Sequence, residues 1–530
     1  MKIPKISVSL ALLFVLAGTS GCDKFLDINT DPINPTDVQI NLLLPSTQAA
    51  MSHSLGHSVG GLGQPASAIM QQLVNGRVGA YSVDGNTFNN PWQGLYTSTL
   101  ANNELVIQKG TAANAWGYVG IAQIQKAYVF SQMVDVWGDI PYSEALNGAR
   151  IAAPKFDDDE AIYTDLFRLI DEGVANLRKT DDARPPGAED LIYAGNKAKW
   201  IRLGNTLKLK LYNQIRLTRN VSTDVTPLLA STADLITATD DFEFRYGLGT
   251  GPENRHPGFQ GDYAGSSREN NINPYFYNLL KNTSDPRIPY YFFNQLAPSA
   301  TPPTQVDYID GRFITTRFGS NGQFNAVNTG ANRTLQGLYP VGGRYDNGAG
   351  IPVTASRTTG ANGTDAKGNV AQRFITFFMR KYTEAELQLM VLSNPLAART
   401  ALNDALNASF NKVNTVATED GSPTIAPTAI ATYVAAALAR YDAATSNEDK
   451  LNVIITEKYK ASYGTGVEIY NDYRRTGYPD IPNATTDNDA QTVATGPFPV
   501  RFPYRQNDLL SNPNAPAQIN PATDKVFWDR

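Results

Sequence analysis

The residue with the most distinctive chemistry is Cys22, the only cysteine of the 530-residue chain. Lys2 and Lys5 precede an apolar run over residues 6–17, and the small residues 18–21 lead directly into the cysteine. This order is that of a secretory signal peptide. The apolar run is also shorter than the ~20 residues that a helix needs to span a bilayer.

Small residues that end in a cysteine at this place are typical of a bacterial lipoprotein signal. The sequence Thr-Ser-Gly-Cys is looser than the usual Leu-Ala-Gly-Cys. In such signals the thiol forms a thioether with diacylglycerol before the preceding residues are removed. The sequence therefore predicts a lipid on Cys22 after a signal peptide of residues 1–21. The alternative is a plain secreted protein whose single cysteine has no partner for a disulfide.

Few other residue patterns in the sequence are typical of catalytic or metal sites. The sequence has no phosphate-binding Walker loop and no His-Glu-x-x-His zinc motif. Two of its three histidines, His53 and His57, are spaced i, i+4 and could in principle share a metal. Ser54, Leu55 and Gly56 stand between them and offer no general base, so a helix end is the favoured interpretation. We predict no metal site, no cofactor and no enzymatic activity.

Acidic residues give two further candidates for chemistry. Asp27, Asn29 and Asp31 have the spacing at the start of a calcium-binding EF-hand loop, but Pro32 and Val38 stand where that loop needs glycine and glutamate. The acidic run 157–160 precedes a helical pattern, where carboxylates cap free N–H groups. A glycosidase site with two carboxylates ~5–9 Å apart remains an alternative, because the fold can bring together any two acidic residues that are distant in the sequence.

Charge and length limit the remaining classes. The net charge is −5 and the isoelectric point is about 5.4. Loss of the two lysines of the signal peptide makes the net charge −7. An acidic chain without a basic arm argues against nucleic acid as a partner. No later segment of the sequence approaches a transmembrane run, so we expect the mature chain to contact the membrane through its lipid only.

The elements that must position a site are mainly helical. Residues 22–36 are polar and interrupted by prolines, which predicts a tether. Helical periodicity then covers about 37–229 and about 373–476, and residues 477–530 have the composition of loops. Between the helical parts, residues 230–372 are rich in Gly, Pro, Asn and aromatic side chains. Over 37–530 the patterns predict a mainly α fold of helix pairs around an irregular insertion, and this length can bury one large or two medium cores. Such insertions often carry function.

Seven sequence blocks resemble one known family. They begin at residues 22, 91, 120, 156, 199, 379 and 454, and they read CDKFLDINTDPINPT, PWQGLYTSTLANNELVI, GIAQIQKAYVFSQMVDVWGDIPYSEAL, FDDDEAIYTDLFRLIDEGVANL, KWIRLGNTLKLKLYNQI, MRKYTEAELQLMVLSNP and, with further pieces up to Arg530, IITEKYKASYGTGVEIYNDYRRTGYPDI. In this order they resemble the SusD/RagB family of nutrient-binding outer-membrane lipoproteins of Bacteroidetes, specifically its SusD-like group. The unmatched part is mainly residues 230–372.

The resemblance implies a fold, a location and a partner. Members of the family have a scaffold of tetratricopeptide-like helix pairs and lie on the cell surface over a SusC-like TonB-dependent transporter. They capture an oligosaccharide, or in some cases a peptide, and deliver it for import. The other classes left open are a surface glycoside hydrolase or protease and a scaffold that contacts only the transporter. Gly138 and Pro141 predict a helix stop, so we expect Trp137 and Tyr142 beside it to pack in the core rather than to contact a ligand. We expect Arg474, Arg475 and Tyr478 to hold the C-terminal segment.

Ligand residues are predicted by position in the family and by residue type. Aromatic rings stack on sugar C–H surfaces, and amide, carboxylate and guanidinium groups bind hydroxyls. The resemblance places the ligand face at the loop before Trp92, and the insertion supplies a second set. Each of these side chains could instead pack a loop. The first set is Tyr81, Asp84, Asn86, Phe88, Asn89 and Trp92, and the second is Tyr246, Arg255, Phe259, Tyr263 and Tyr345.

Overall fold

The structure is a computed structural model. It describes residues 38–58, 60–75, 81–264, 268, 270–301, 306–320, 332–353, 366–482 and 496–529. Cys22, the signal peptide and the tether of residues 22–36 lie outside this range, so their assignments and the domain boundaries stay predictions. The prediction of a mainly α fold is confirmed.

Within the described residues, the N-terminal helical part contains eight helices. Their bounds are α1 Ile40–Leu55, α2 Gly63–Ile69, α3 Asn89–Gly94, α4 Ala101–Ala112, α5 Trp116–Trp137, α6 Asp159–Arg178, α7 Lys197–Gln214 and α8 Ser222–Ala230. A π-helical turn, Leu95–Leu100, joins α3 to α4. Helix α5 packs along α4 on one side and α6 on the other, and nearly all of its side chains are buried.

Local sequence explains how α6 begins and which face it buries. The side chain of Asp158 accepts a hydrogen bond from the backbone N–H of Ala161 at 2.9 Å, which makes Asp158 the N-cap that the acidic run predicts. The apolar stripe from Ile162 to Leu177 is buried against the neighbouring helices, as the helical periodicity of this part predicts. The stripe from Trp200 to Leu211 on α7 is buried in the same way.

The insertion contains short elements rather than a continuous sheet. Its helices are α9 Pro257–Phe259, α10 Pro274–Lys281, α11 Ile288–Tyr291 and α12 Leu338–Val341. In the described part of the chain, eight strands form four antiparallel pairs, β1–β3, β2–β8, β4–β7 and β5–β6. The strands are β1 Leu73–Asn75, β2 Phe242–Arg245, β3 Asn270–Ile272, β4 Phe292–Phe293, β5 Tyr308–Asp310, β6 Phe313–Thr315, β7 Leu335–Gln336 and β8 Ala371–Ile375. Strand β1 precedes the insertion, and β8 lies at its end.

The pairing of β2 with β8 brings the two ends of the insertion together. Phe242 is opposite Ile375, and Arg245 is opposite Ala371. The chain therefore leaves the helical scaffold and returns to it at neighbouring points, and the scaffold continues across the insertion.

The C-terminal helical part contains α13 Phe377–Met390, α14 Pro395–Asp420, α15 Pro427–Ala443, α16 Asn447–Ala461 and α17 Gly466–Thr476. All five helices lie within the range of about 373–476 for which the periodicity predicts helix. One short helix, α18 Gln506–Ser511, lies in the segment that was predicted to be loops. No helix of the described ranges is long and apolar enough to cross a membrane.

The turn after α5 anchors the C-terminal segment. Trp137 is fully buried, which confirms its predicted core position, and Gly138 has a φ of +71°, where a side chain would be strained. Arg501 Nε donates a hydrogen bond to the carbonyl oxygen of Trp137 at 2.7 Å, and Phe502 N donates to that of Val136 at 2.8 Å. Arg474 Nη1 donates to the Val500 carbonyl oxygen at 2.9 Å, as its predicted role requires.

Candidate ligand-binding cleft

A cleft of about 620 Å³ lies between α3 and α4, the loop of residues 141–156 and the short helix α18. Its lining combines aromatic rings, aliphatic side chains and polar groups. The lining residues are Trp92, Gln93, Tyr96, Thr97, Ala101, Glu104, Leu105, Gln108, Pro141, Ala145, Leu146, Asn147, Gly148, Arg150, Ala152, Pro154, Phe156, Arg505, Asp508, Ser511 and Asn512.

Hydrogen bonds to backbone carbonyls connect the three walls of the cleft. Tyr96 Oη donates to the Pro141 carbonyl oxygen at 2.7 Å and so joins the π-helical turn to the loop. Asn512 Nδ2 donates to the Pro154 carbonyl oxygen, also at 2.7 Å, and joins the end of α18 to the same loop. The shape of the cleft is thus set by contacts between distant parts of the chain.

An aromatic cluster forms one side of the cleft. Trp92 is only 4% exposed, and its ring meets Trp137 edge to face at 4.9 Å. Tyr96 lies 5.3 Å from Trp92, and Phe156 lies 6.4 Å from it at an interplanar angle of 23°. Since Tyr96 and Phe156 are half-buried, they present more ring surface to the cleft than Trp92, which supports them from behind.

Charges in the cleft are unevenly neutralised. Lys126 Nζ lies 2.7 Å from a carboxylate oxygen of Glu104, and Gln108 donates to the other oxygen at 3.1 Å. Burial opposes the charge of Glu104, but these contacts outweigh it and lower the pKa. Burial raises the pKa of Asp508, an effect that Arg505 and the Trp92 indole partly oppose.

Two residues of the first predicted ligand set organise an exposed turn before the cleft. Asp84 Oδ1 accepts hydrogen bonds from the backbone N–H groups of Asn86 and Thr87, at 2.9 and 3.1 Å. Asn89 Nδ2 reaches Asn86 Oδ1 at 3.5 Å. Asp84 and Asn86 are exposed, and Asn89 is half-buried.

The aromatic members of that set are buried. Phe88 stacks on Phe502 at 4.0 Å, and Tyr81 packs between Phe318 and Phe498 while its hydroxyl accepts a hydrogen bond from Gln71. Of this first set, only Trp92 lines the cleft. A role of the set in ligand binding stays a prediction.

The second predicted set forms contacts inside the insertion. Arg255 pairs with Glu253 at 2.5 Å and lies 5.1 Å from the Phe259 ring. Phe259 in turn stacks on Tyr263, whose hydroxyl donates to the Gln336 carbonyl oxygen at 2.6 Å. These contacts hold the three side chains in the interior.

The remaining two members of the second set are half-buried. Burial raises the pKa of Tyr246 to about 12, and its hydroxyl is 2.9 Å from Ser52 Oγ. Tyr345 packs against Tyr290 at 4.9 Å. The structure therefore brings Arg255, Phe259 and Tyr263 together, whereas Tyr246 and Tyr345 pack against other parts of the chain.

The two histidines with i, i+4 spacing have different surroundings. His53 is exposed, whereas His57 is buried with Nε2 2.7 Å from Gln336 Oε1, and burial lowers the pKa of His57 to about 4. Among the described residues, Asp139, Asp158 and Asp159 have carboxylate oxygens within 4.8 Å of one another, close enough to share a cation. Each of the three accepts a backbone hydrogen bond, from Asp159, Ala161 and Phe527 respectively.

One further pattern bears on the hydrolase alternative. Residues 56–60, Gly-His-Ser-Val-Gly, have the spacing of a serine hydrolase nucleophile elbow. That elbow follows a strand and exposes its serine, but this segment follows α1, and Ser58 is 2% exposed. Its hydroxyl donates to the backbone carbonyl of His53 at 2.9 Å. Ser58 therefore lacks the geometry of a nucleophile.

The comparisons with known proteins agree with the helical architecture. A family model described as "SusD-like_2: Starch-binding associating with outer membrane" matches residues 32–505. The chain belongs to this SusD-like family, and the predicted resemblance is confirmed. A comparison with proteins of curated function finds no match.

Solved structures share the fold at low sequence identity. A SusD/RagB family protein from Bacteroides thetaiotaomicron is 22% identical with a TM-score of 0.68, and the match covers 93% of this chain and 99% of that one. A chitin-binding SusD homolog from Flavobacterium johnsoniae is 18% identical with a TM-score of 0.67, over 93% and 98%. A chitin-binding protein has a TM-score of 0.69 at 18% identity, over 93% and 100%.

Four cleft residues that matter for binding, Tyr96, Phe156, Arg150 and Arg505, lie outside the two predicted sets. Tyr96 belongs to the block that begins at Pro91, and its aromatic type four residues after Trp92 is the one signal in the sequence that points to it. The other three come from loops and from the C-terminal segment. No local pattern in the sequence connects them with the cleft.

Proposed function

We propose that this protein captures oligosaccharides at the cell surface and delivers them to a SusC-like TonB-dependent transporter. The observation that carries the proposal is the cleft, which combines aromatic rings with side chains that bind hydroxyls, in a chain of a family described as starch-binding. Lipid on Cys22 would hold the protein in the outer membrane. The family's association with that membrane supports this part of the proposal.

The chemistry of the cleft suits a sugar chain. A pyranose has C–H surfaces that pack on rings such as Tyr96 and Phe156, and hydroxyls that pair with groups such as Gln93 and Asn147. The volume of about 620 Å³ is in the ordinary range for small-molecule sites, roughly 300–1,000 Å³. We infer that Tyr96 and Phe156 provide the contact surface and that Trp92 keeps them in place.

Calorimetry on the mature chain tests the cargo. A panel of oligosaccharides and of peptides is titrated into the protein and into the Tyr96→Ala and Phe156→Ala variants. We expect binding of at least one oligosaccharide, and about two- to tenfold weaker binding by each variant, since aromatic stacking is worth about 0.5–1.5 kcal/mol beyond the buried area. If only peptides bind, the cargo of this protein is a peptide and not a glycan.

Two further measurements test the rest of the proposal. Long incubation with polysaccharide or protein, followed by assays for reducing ends and new amines, should show no release. If an activity that releases reducing ends or amines co-purifies with the protein, the protein is a hydrolase instead. Purification from detergent-solubilised native membranes should recover a TonB-dependent barrel protein, and its absence would contradict the transporter partner.

A further inference from the structure

The cleft contains two guanidinium groups with different surroundings. Arg150 is exposed at the turn Gly148–Arg150, and its side chain has no ion-pair or hydrogen-bond partner within the described ranges. Arg505 also lines the cleft and stands at the start of α18. Its contacts to Asp508 Oδ1 and Gln93 Oε1 are both 3.4 Å long.

The contacts of Arg505 leave much of its hydrogen-bonding capacity unused. Ordinary N–H···O bonds have lengths of about 2.7–3.2 Å, so both contacts of Arg505 are weak. Its Nε has no hydrogen-bond partner among the described residues. A guanidinium with unused N–H groups can form two strong, parallel hydrogen bonds to an anion that presents two oxygens in the guanidinium plane.

The acidic residues of the cleft do not neutralise the charges of both Arg150 and Arg505. Glu104 is already neutralised by Lys126 at 2.7 Å. Asp508 is the only other acidic residue that lines the cleft in the described part of the chain, and its partner is Arg505. One positive charge, that of Arg150, therefore remains in the cleft of a protein whose net charge is −5. Such a local reversal of sign attracts anionic ligands.

We propose that the cleft selects acidic oligosaccharides, with Arg150 and Arg505 binding the carboxylate of a uronic acid or the sulfate of a sulfated sugar. This inference rests on the proposed function, because it specifies the kind of glycan that the cleft takes. The aromatic side of the cleft packs against the sugar rings. Carboxylate and sulfate groups both present at least two oxygens that a guanidinium can bind at the same time.

The test compares each acidic glycan with its neutral counterpart. Calorimetry is run on the mature chain with an oligogalacturonide and its carboxyl-reduced form, and with a sulfated galactan oligomer and its desulfated form. We expect at least one acidic ligand to bind about tenfold or more tightly than its neutral counterpart, since hydrogen bonds to charged groups contribute ~1.5–3 kcal/mol. The preference should weaken at 0.5 M salt. The two ligand pairs show whether carboxylate or sulfate is preferred.

Matched variants assign the effect to the cleft. Arg150→Gln and Arg505→Gln should each reduce the preference for the acidic ligand about tenfold or more, with melting temperatures that confirm folding. Arg178→Gln is the control, because Arg178 is also exposed but lies at the end of α6 and outside the cleft lining.

The outcomes separate the two proposals. Equal binding of acidic and neutral forms, or equal loss in all three variants, would overturn the acidic preference and leave the glycan-binding function intact. Failure of every oligosaccharide, acidic or neutral, would overturn both.

Discussion

The carboxylate of Glu386 accepts two hydrogen bonds from the guanidinium of Arg475, at 3.0 and 2.7 Å, and both side chains are almost completely buried. Arg216 Nε approaches the same carboxylate at 3.0 Å. Glu386 lies in α13, Arg475 in α17 and Arg216 in the turn after α7, so the cluster connects parts of the scaffold from both sides of the insertion. Arg475 was expected to hold the C-terminal segment, but its partners are instead Glu386, Gln214 and Asp472.

Replacement of Glu386 by glutamine should destabilise the fold strongly. The substitution removes the carboxylate that Arg216 and Arg475 share in the buried cluster, and of these two arginines Asp472 still neutralises only Arg475. Broken buried pairs typically cost about 3–5 kcal/mol. Burial opposes the charge of Glu386, but Arg475 and Arg216 hold its pKa well below the usual range, so the carboxylate is charged at neutral pH. Urea unfolding at pH 7 measures the loss.

The control for that variant is Arg399→Gln. Arg399 pairs with Asp442 at 2.6 Å, but both side chains are substantially exposed. Exposed pairs contribute about 0–1 kcal/mol, so this variant should unfold almost like the parent. Similar losses in the two variants would contradict a special role for the buried cluster.

Low pH should lower the free energy of unfolding, partly through protonation of His57. Burial lowers the pKa of His57 from 6.5 to about 4, so the unfolded chain binds more protons than the folded one between these values. The contribution of His57 to stability is complete above pH 6.5 and is lost as the pH falls toward 4. The loss amounts to about 3 kcal/mol at pH 4.

The His57→Gln variant should therefore show a flatter dependence of unfolding free energy on pH. Urea unfolding at pH 7.0, 5.5 and 4.5 measures the slope for parent and variant. His53→Gln, at an exposed position one turn earlier, is the matched control and should follow the parent curve. A His57→Gln curve as steep as that of the parent would contradict the prediction.

Trp92 should contribute to binding through the rings that it supports. Trp92→Ala removes a 4% exposed ring from contact with Trp137, Tyr96 and Phe156, and large-to-small core changes of this kind cost about 3–5 kcal/mol. Phe156→Ala should cost less stability, since Phe156 is half-buried, but it should weaken glycan binding at least as much. Thermal melts and calorimetry on both variants separate these effects. Unchanged affinity in Trp92→Ala would remove Trp92 from any role in the site.

Cys22→Ser should remove the lipid anchor of the protein. The lipid is predicted on the thiol of Cys22, and serine cannot form the thioether. Labelling with a palmitate analogue and fractionation should find the parent labelled and in the outer membrane, and the variant unlabelled and absent from the outer membrane. Ser20→Ala, two residues earlier, keeps a small residue in the signal and should behave like the parent. A labelled Cys22→Ser protein would contradict the assignment.

The local features of the fold could be predicted with good accuracy from the sequence. The stripes of α6 and α7 are amphipathic over several turns, and Asp158 caps α6 through a hydrogen bond to a residue three positions away. The β2–β8 pairing could not be predicted, because it joins Phe242 to Ile375 across the whole insertion. Aromatic type was also a weak guide to the ligand surface, because Phe88 and Tyr81 bury their rings against Phe502 and Phe318.

By itself, the sequence determined the family, the helical scaffold and the predicted lipid site, because each depends on residues that are close together along the chain. Tertiary structure alone decided the cleft, whose walls come from residues 92–108, 141–156 and 505–512. Periodicity and capping act over a few residues, whereas a cleft forms only where packing brings distant segments together. Arg150 and Arg505 are therefore unremarkable in the sequence and become cleft partners only in the folded chain.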